Sequence, residues 1–294
     1  MDVDLRRLRY FVEVAEQLHF GRAADALHIA QPALSRQIRA LEDELGVTLL
    51  LRDRRTTALT PAGRQLLHDA KPLLASAEAL VRRARHAARP VARFTVAFMP
   101  GITVTPAVKA LTARHSRLDV RLLRTGWHNQ TRVVLDGRAD ASIVRMPIDT
   151  DGLDVLPLFT EPRVVVIAGD HPLAGKGSVA LTDLADERLL QDPAAVPEWR
   201  AVAHDPRTGH RPEIPVVHSV EEKLELVASG AGFCVLPLST ASFYTRPDVA
   251  TLRVPGLGDN QVGLVWNAAH RTQLVEDFRD VCHLLRPLDT AVRG

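Results

Sequence analysis

Apolar residues near the start of the chain recur three and four positions apart, at Leu5, Leu8, Phe11, Val14, Ala15 and Leu18, which predicts an amphipathic helix with one buried face. Two shorter helical patterns follow in FGRAADALHIAQPALSRQIRAL (20–41). In the first, Ala23, Ala24 and Leu27 form a face small enough for a second helix to pack closely. The break falls at His28-Ile29-Ala30. Pro32 suits the first turn of the next helix, where its missing N–H has no helical partner, and Leu34, Ile38 and Leu41 supply the inward stripe. Leu45-Gly46 then marks a stop. Two helices joined by a tight break and backed by a third make the pattern of a helix-turn-helix.

The inward stripe turns Gln31, Ala33, Ser35, Arg36 and Arg39 outward. A Gln, a Ser and an Arg at the N-terminal end of an exposed helix can hydrogen-bond base edges and phosphates in a major groove, although the same residues also suit the solvated face of an ordinary helical hairpin. LLLRDRRTTALT (49–60) reads as a short hairpin carrying Arg52, Arg54 and Arg55. Arginines beside a helix-turn-helix suit phosphates or a narrow minor groove.

A long helix follows, with Thr60 as its cap and Pro61 in its first turn. Leu66, Ala70, Leu73, Ala77, Leu80 and Ala84 recur in alternating steps of four and three, the seam of a two-stranded coiled coil. Alternating Leu and Ala make a stripe that one helix cannot bury alone. It predicts a partner, either a second copy or the rest of this chain. The helix is expected to stop near Ala88, before Arg89-Pro90.

Beyond residue 90 the period changes. Strands are predicted at 94–98, 120–123, 141–144, 163–168, 214–217, 232–236 and 262–266, most of them separated by helical patterns. Such alternation argues for parallel sheets with helices on both faces, and about 200 residues suit two lobes better than one. The open ends of such sheets, at the junction of the lobes, are where a ligand binds.

Charge adds a little to this picture. Residues 1–90 hold 15 Lys and Arg against 11 Asp and Glu, a net of +4, while the remainder holds 22 against 24, a net of −2. The basic excess therefore lies with the helix-turn-helix. No apolar run approaches the roughly 18 residues needed to span a bilayer and no cleavable leader is evident, so a soluble, cytoplasmic chain with no membrane partner is expected. Cys234 and Cys282, 48 positions apart, read as buried thiols in a reducing compartment rather than a redox pair.

With these residues in view, the chain resembles the LysR-type transcriptional regulators of bacteria. The likeness runs from RRLRYFVEVAEQLHFGRAADALHIAQPALSRQIRALEDELGVTLLLRDRRTTALTPAG to the C-terminal lobes, with the QPALSRQI string, the wing arginine and LTPAG in order. It implies an α/β protein: a winged helix-turn-helix over 1–60, a linker and dimerisation helix over 61–90, and a two-lobed effector domain over 91–294, similar to periplasmic binding proteins. Lobe I would take about 91–161 and 267–294, and lobe II about 162–266. The implied partners are double-stranded DNA, a small-molecule effector such as a carboxylate, RNA polymerase, and further copies of the chain in a dimer or tetramer. Two departures stand out. Ala30 replaces the family's common Ser or Thr cap, and Leu50-Leu51 replace a Phe-Glu pair before the wing.

Three segments are expected to reach the cleft. Pro100, Gly101 and Thr103 follow the first strand, Thr125, Trp127 and His128 the next, and Ser219 opens a helix in lobe II. Free N–H groups at helix starts could accept an anion. Relatives often carry Ser or Thr near Gly101, and Thr103 is the nearest hydroxyl. Trp127 offers a flat stacking face, and Arg145, at a strand end, could pair with a carboxylate. His204, His210 and His218 match no metal-ligand spacing, so no metal and no cofactor are expected. Neither G-x-S-x-G nor H-E-x-x-H occurs, and GAGF (230–233) follows a helix pattern, which disfavours an enzyme. A solute-binding module without a DNA role would share the lobes, but residues 1–60 speak against it for the whole chain.

Overall fold

A computed structural model of the chain describes residues 4–52, 57–88, 91–203, 217 and 219–285. These form two compact units, the first chiefly residues up to 88 and the second chiefly residues from 91 on.

The first unit opens with α1 (Leu5–Gln17), α2 (Phe20–Ala26) and α3 (Gln31–Leu45). Leu8, Phe11, Val14 and Ala15 of α1 are buried with Ala23, Ala24, Leu34, Ile38 and Leu41, as the spacing predicts. Leu5 and Leu18 are not buried with them; Leu18 leaves the helix in a left-handed conformation and is exposed. His19 caps α2, its Nδ1 accepting from the Arg22 N–H at 3.1 Å. Gly46 ends α3 with φ +68°. The hairpin β1 (Leu50–Arg52) and β2 (Thr57–Leu59) is antiparallel. Arg54 and Arg55 lie outside the described residues, and Arg52 is described by its backbone alone.

Helix α4 (Pro61–Ala87) follows, and the Thr60 hydroxyl accepts from the Gly63 N–H at 2.9 Å, as its place before Pro61 predicts. Gly63 allows α4 to lie directly on the backbone that leads into β1. A Cβ there would overlap the Leu49 carbonyl oxygen.

In the second unit, β3 (Arg93–Phe98), α5 (Thr105–Arg114), β4 (Asp119–Arg124), α6 (Arg132–Leu135), β5 (Ala141–Arg145) and β6 (Leu153–Glu161) build lobe I. Lobe II holds β7 (Arg163–Ala168), α7 (Pro197–Val202), α8 (Val220–Ala228), β8 (Cys234–Pro237), α9 (Leu238–Phe243) and β9 (Val249–Arg253). The chain then returns through β10 (Asn260–Asn267) and α10 (Gln273–Val281). Lobe I is a five-stranded sheet in the order β4-β3-β5-β10-β6, and lobe II a three-stranded sheet in the order β8-β7-β9.

Several expectations change here. Among the strands of the described residues, β3 pairs in parallel with β4 and β5, whereas β10 runs antiparallel to β5 and β6, and β7 antiparallel to β8 and β9. Strand β10 belongs to the lobe I sheet, so lobe II ends near 259 rather than 266. The strands β6 and β9 were not expected, and the strand expected at 214–217 lies almost wholly outside the described residues. The β-branched run of β7 alternates between two cores. Val165 and Ile167 pack with Trp199 and Phe233, whereas Val166 packs with Leu224, Val227 and Cys234 on the other face.

Candidate functional site

Helix α3 presents Gln31, Pro32, Arg36 and Arg39 to solvent, with Ser35 half-buried among them. The inward Leu34, Ile38 and Leu41 hold this face rigidly outward. Ala30 makes no side-chain cap, and Pro32 in the first turn supplies the preorganisation that a cap would otherwise share. Two carboxylates fix the helix to its neighbours. Glu44 accepts from Arg7 of α1 at 2.9 Å. Glu42 Oε1 accepts from the Leu49 and Leu50 N–H groups at 2.9 and 3.1 Å, tying the wing to α3. Leu50 is buried in the head core and Leu51 is exposed, so the departure from the family pair gives one core side chain and one on the surface.

The seam predicted on α4 divides. Leu66 and Ala70 pack into the core of the head, so their first use is within this chain. Leu73 and Leu80 are 48% and 61% exposed, Val81 is exposed beside them, and Ala77 is half-buried.

In the second unit a cleft of about 1080 Å³ lies between the lobes. Pro100, Thr125, Trp127, His128, Arg145 and Ser219 all line it, whereas Gly101 and Thr103 do not. Gly101 has φ +80°, and a Cβ on it would stand 2.6 Å from the Thr240 Cα. Its lack of a side chain therefore serves the close approach of lobe I to α9 rather than a ligand. Thr103 is exposed outside the cleft because α5 starts only at Thr105.

Several hydroxyls are already engaged. Thr125 Oγ1 donates to the Phe98 carbonyl at 3.1 Å, and Ser219 Oγ accepts from the Glu222 N–H at 3.1 Å as the cap of α8. The Thr125–Asn129 segment first folds into a turn, Asn129 Oδ1 accepting from the Gly126 N–H at 2.8 Å, and then leads into the short α6, whose Val133 N–H donates to the Asn129 carbonyl at 3.2 Å. Trp127 stands 50% exposed at the cleft wall.

Arg145 is only 2% exposed, and its carboxylate partner is internal. Its guanidinium donates to Glu161 at 2.6 Å, Asn260 Oδ1 at 2.7 Å, Ser239 Oγ at 3.0 Å, Thr240 Oγ1 at 3.2 Å and the Pro100 carbonyl at 3.3 Å. Glu161 also accepts from the Ser239 N–H at 2.8 Å. Burial pulls the Arg145 guanidinium below its usual pKa, and Glu161 opposes that shift. The expected role as an effector ligand is thus corrected: Arg145 joins lobe I to α9, to the end of β6 at Glu161 and to the start of β10 at Asn260. Nearer the surface, Arg124 donates to Glu221 at 3.2 Å and to the Tyr244 hydroxyl at 2.9 Å, a second link between the lobes.

Lys223, on α8, also lines the cleft and was not anticipated. The signal was present in its spacing, since Val220, Lys223 and Val227 share one inward face. Cys234 and Cys282 are buried in separate cores, and burial pushes both thiols up to about 12. His204, His210 and His218 lie outside the described residues.

A helix-turn-helix with an exposed polar recognition face, followed by two lobes around a cleft, defines a DNA-binding regulator with a ligand-sensing unit. The model of the bacterial regulatory helix-turn-helix protein, lysR family, matches residues 5–64, and that of the LysR substrate binding domain matches residues 87–285. The Hca operon transcriptional activator HcaR of Escherichia coli is 35% identical over 288 residues, which cover 94% of this chain and 96% of that protein. Among solved structures, a hydrogen peroxide-bound cysteine-to-serine mutant of OxyR from Corynebacterium glutamicum superposes with a TM-score of 0.53 at 29% identity, over 97% of this chain and 92% of that one. Full-length CbnR complexed with its target DNA gives 0.52 at 25% identity, over 96% and 99%. The chain belongs to the LysR family. It is a DNA-binding transcriptional regulator with a substrate-binding effector domain.

Proposed function

We propose that the protein binds a partly palindromic operator as a dimer or tetramer, and that a small anionic effector in the interlobe cleft changes how its DNA-reading heads are arranged. Gln31, Pro32, Ser35, Arg36 and Arg39 enter the major groove, and Arg52 and Arg54 meet the backbone beside it. The exposed Leu73, Ala77 and Leu80 stripe pairs protomers. RNA polymerase is the further partner through which binding changes transcription, and the cytoplasm, where the DNA lies, is the working compartment.

The observation that carries the effector reading is the cleft itself. About 1080 Å³, walled by both apolar and polar side chains, is ample for a metabolite. A metabolite library screened by thermal shift tests it, because a ligand at 100 times its Kd adds about 2.7 kcal/mol of stability. Trp127→Ala should then cost about 1–3 kcal/mol of ligand affinity while leaving operator binding without ligand intact. A ligand bound equally well by wild type and Trp127→Ala would place the effector elsewhere.

A further inference from the structure

Four cationic side chains line the interlobe cleft among the described residues, Arg124, Arg145, Arg163 and Lys223, beside the carboxylates of Asp192 and Asp259. Three are neutralised within the protein. Arg124 pairs with Glu221, Arg145 with Glu161, and Arg163 with Glu198. The Lys223 ammonium is half-buried and has no hydrogen-bond or ion-pair partner among the described residues. Cys234 packs nearest to it, and its buried thiol, pushed up to about 12, supplies no counter-charge; His128, Asp192 and Asp259 line the same cleft, and neither carboxylate forms an ion pair with Lys223.

Holding an ammonium partly out of water without a partner costs free energy, and burial accordingly pulls its pKa below the ordinary lysine value. An anion arriving in the cleft would recover that cost and form a charge-assisted hydrogen bond in a place of low dielectric. Lys223 itself offers one positive charge, enough to meet one carboxylate. Around it, Met99, Trp127, Leu190, Val235 and Leu236 offer apolar wall. We infer that Lys223 is the residue that reads the effector's charge, and that the effector is an apolar monocarboxylate whose carboxylate meets Lys223 Nζ while its hydrocarbon or aryl body lies against the apolar wall. This rests on the cleft being the effector site and adds the ligand class and the residue that selects it.

The test uses the full chain with 1-naphthoate, phenylacetate and octanoate, each beside its uncharged primary amide, in calorimetric titrations of wild type, Lys223→Met, Lys223→Arg and Trp127→Ala. At least one acid should bind wild type about tenfold or more tighter than its amide. Lys223→Met should weaken that acid by about tenfold to a hundredfold, leave the amide unchanged, and raise the melting temperature of the unliganded protein, because an unpaired ammonium has been removed. Lys223→Arg should keep part of the preference. Acid binding to wild type should fall as pH rises through the depressed lysine pKa, where the ammonium loses its proton.

Equal binding of acid and amide to wild type, or unchanged acid binding by Lys223→Met, would overturn the assignment of Lys223. So would a parallel loss of acid and amide, which marks a structural role. Failure of every acid to bind at about 10 mM would overturn the ligand class. If the acids bind but Trp127→Ala does not weaken them, the cleft reading itself fails, separately from Lys223.

Discussion

Replacing Arg145 with Met removes the guanidinium that joins the two lobes while keeping most of the side chain's volume. Glu161, 1% exposed, would retain the Ser239 N–H and Oγ as donors but lose its counter-ion. Asn260 Oδ1 would lose its 2.7 Å donor. The Pro100 carbonyl would keep only the Thr240 hydroxyl at 3.1 Å. Breaking one side of a buried ion pair costs about 3–5 kcal/mol, because the surviving charge stays in low dielectric without compensation. Glu161→Gln should be costly for the mirror-image reason. The double variant Arg145→Met with Glu161→Gln removes both charges and should cost about 2–3 kcal/mol less than the sum of the singles. Urea unfolding followed by tryptophan emission isolates the relevant unit, since Trp127, Trp199 and Trp266 all lie in it. A single variant that costs less than about 1 kcal/mol, combined with additive behaviour in the double, would refute the view that this pair is an internal tie rather than a ligand site.

Leu73→Asp and Leu80→Asp should leave the monomer's melting temperature nearly unchanged, because both side chains are about half exposed or more, yet lower the mass by light scattering; unchanged mass would mean that this stripe is not the pairing face. Gly63→Ala should destabilise the head by about 1–3 kcal/mol despite the better helix propensity of Ala, because the new methyl overlaps the Leu49 carbonyl, and circular dichroism on heating reads the loss. Cys234 and Cys282 should resist a disulfide-exchange reagent at about pH 8 in the native state and react promptly on unfolding, since burial keeps both protonated; fast native reaction would show that one thiol is reachable.

The head was legible because its helices are short, local and periodic. The stripe of Leu34, Ile38 and Leu41 places the polar face of α3 without reference to distant residues, and Thr60 and Gly46 punctuate the helices as their chemistry dictates. The α4 seam was legible only in part, since spacing cannot say that Leu66 and Ala70 are claimed by the head core while Leu73 and Leu80 are left over. Strand β6 escaped because Pro157 interrupts its pattern, and Pro is tolerated there because β6 is a sheet edge. The position of β10 depends on pairing with β5 and β6, a long-range choice that no local window carries. In the cleft, residue types at strand ends and helix starts pointed to Thr125, Trp127 and Ser219 correctly as lining, but not to the partners already satisfying Arg145, nor to Lys223, for which the described residues supply none.

The central claim, that α3 reads DNA as part of a ligand-responsive regulator, is tested most directly by fluorescence anisotropy with the protein's own operator and a scrambled duplex, comparing wild type with Arg36→Ala. Arg36 is exposed in the first half of α3, and its loss should weaken operator binding by about 1–3 kcal/mol while changing scrambled-duplex binding much less. Arg36→Ala binding the operator as tightly as wild type, or losing equally on both duplexes, would contradict base reading by that face of α3.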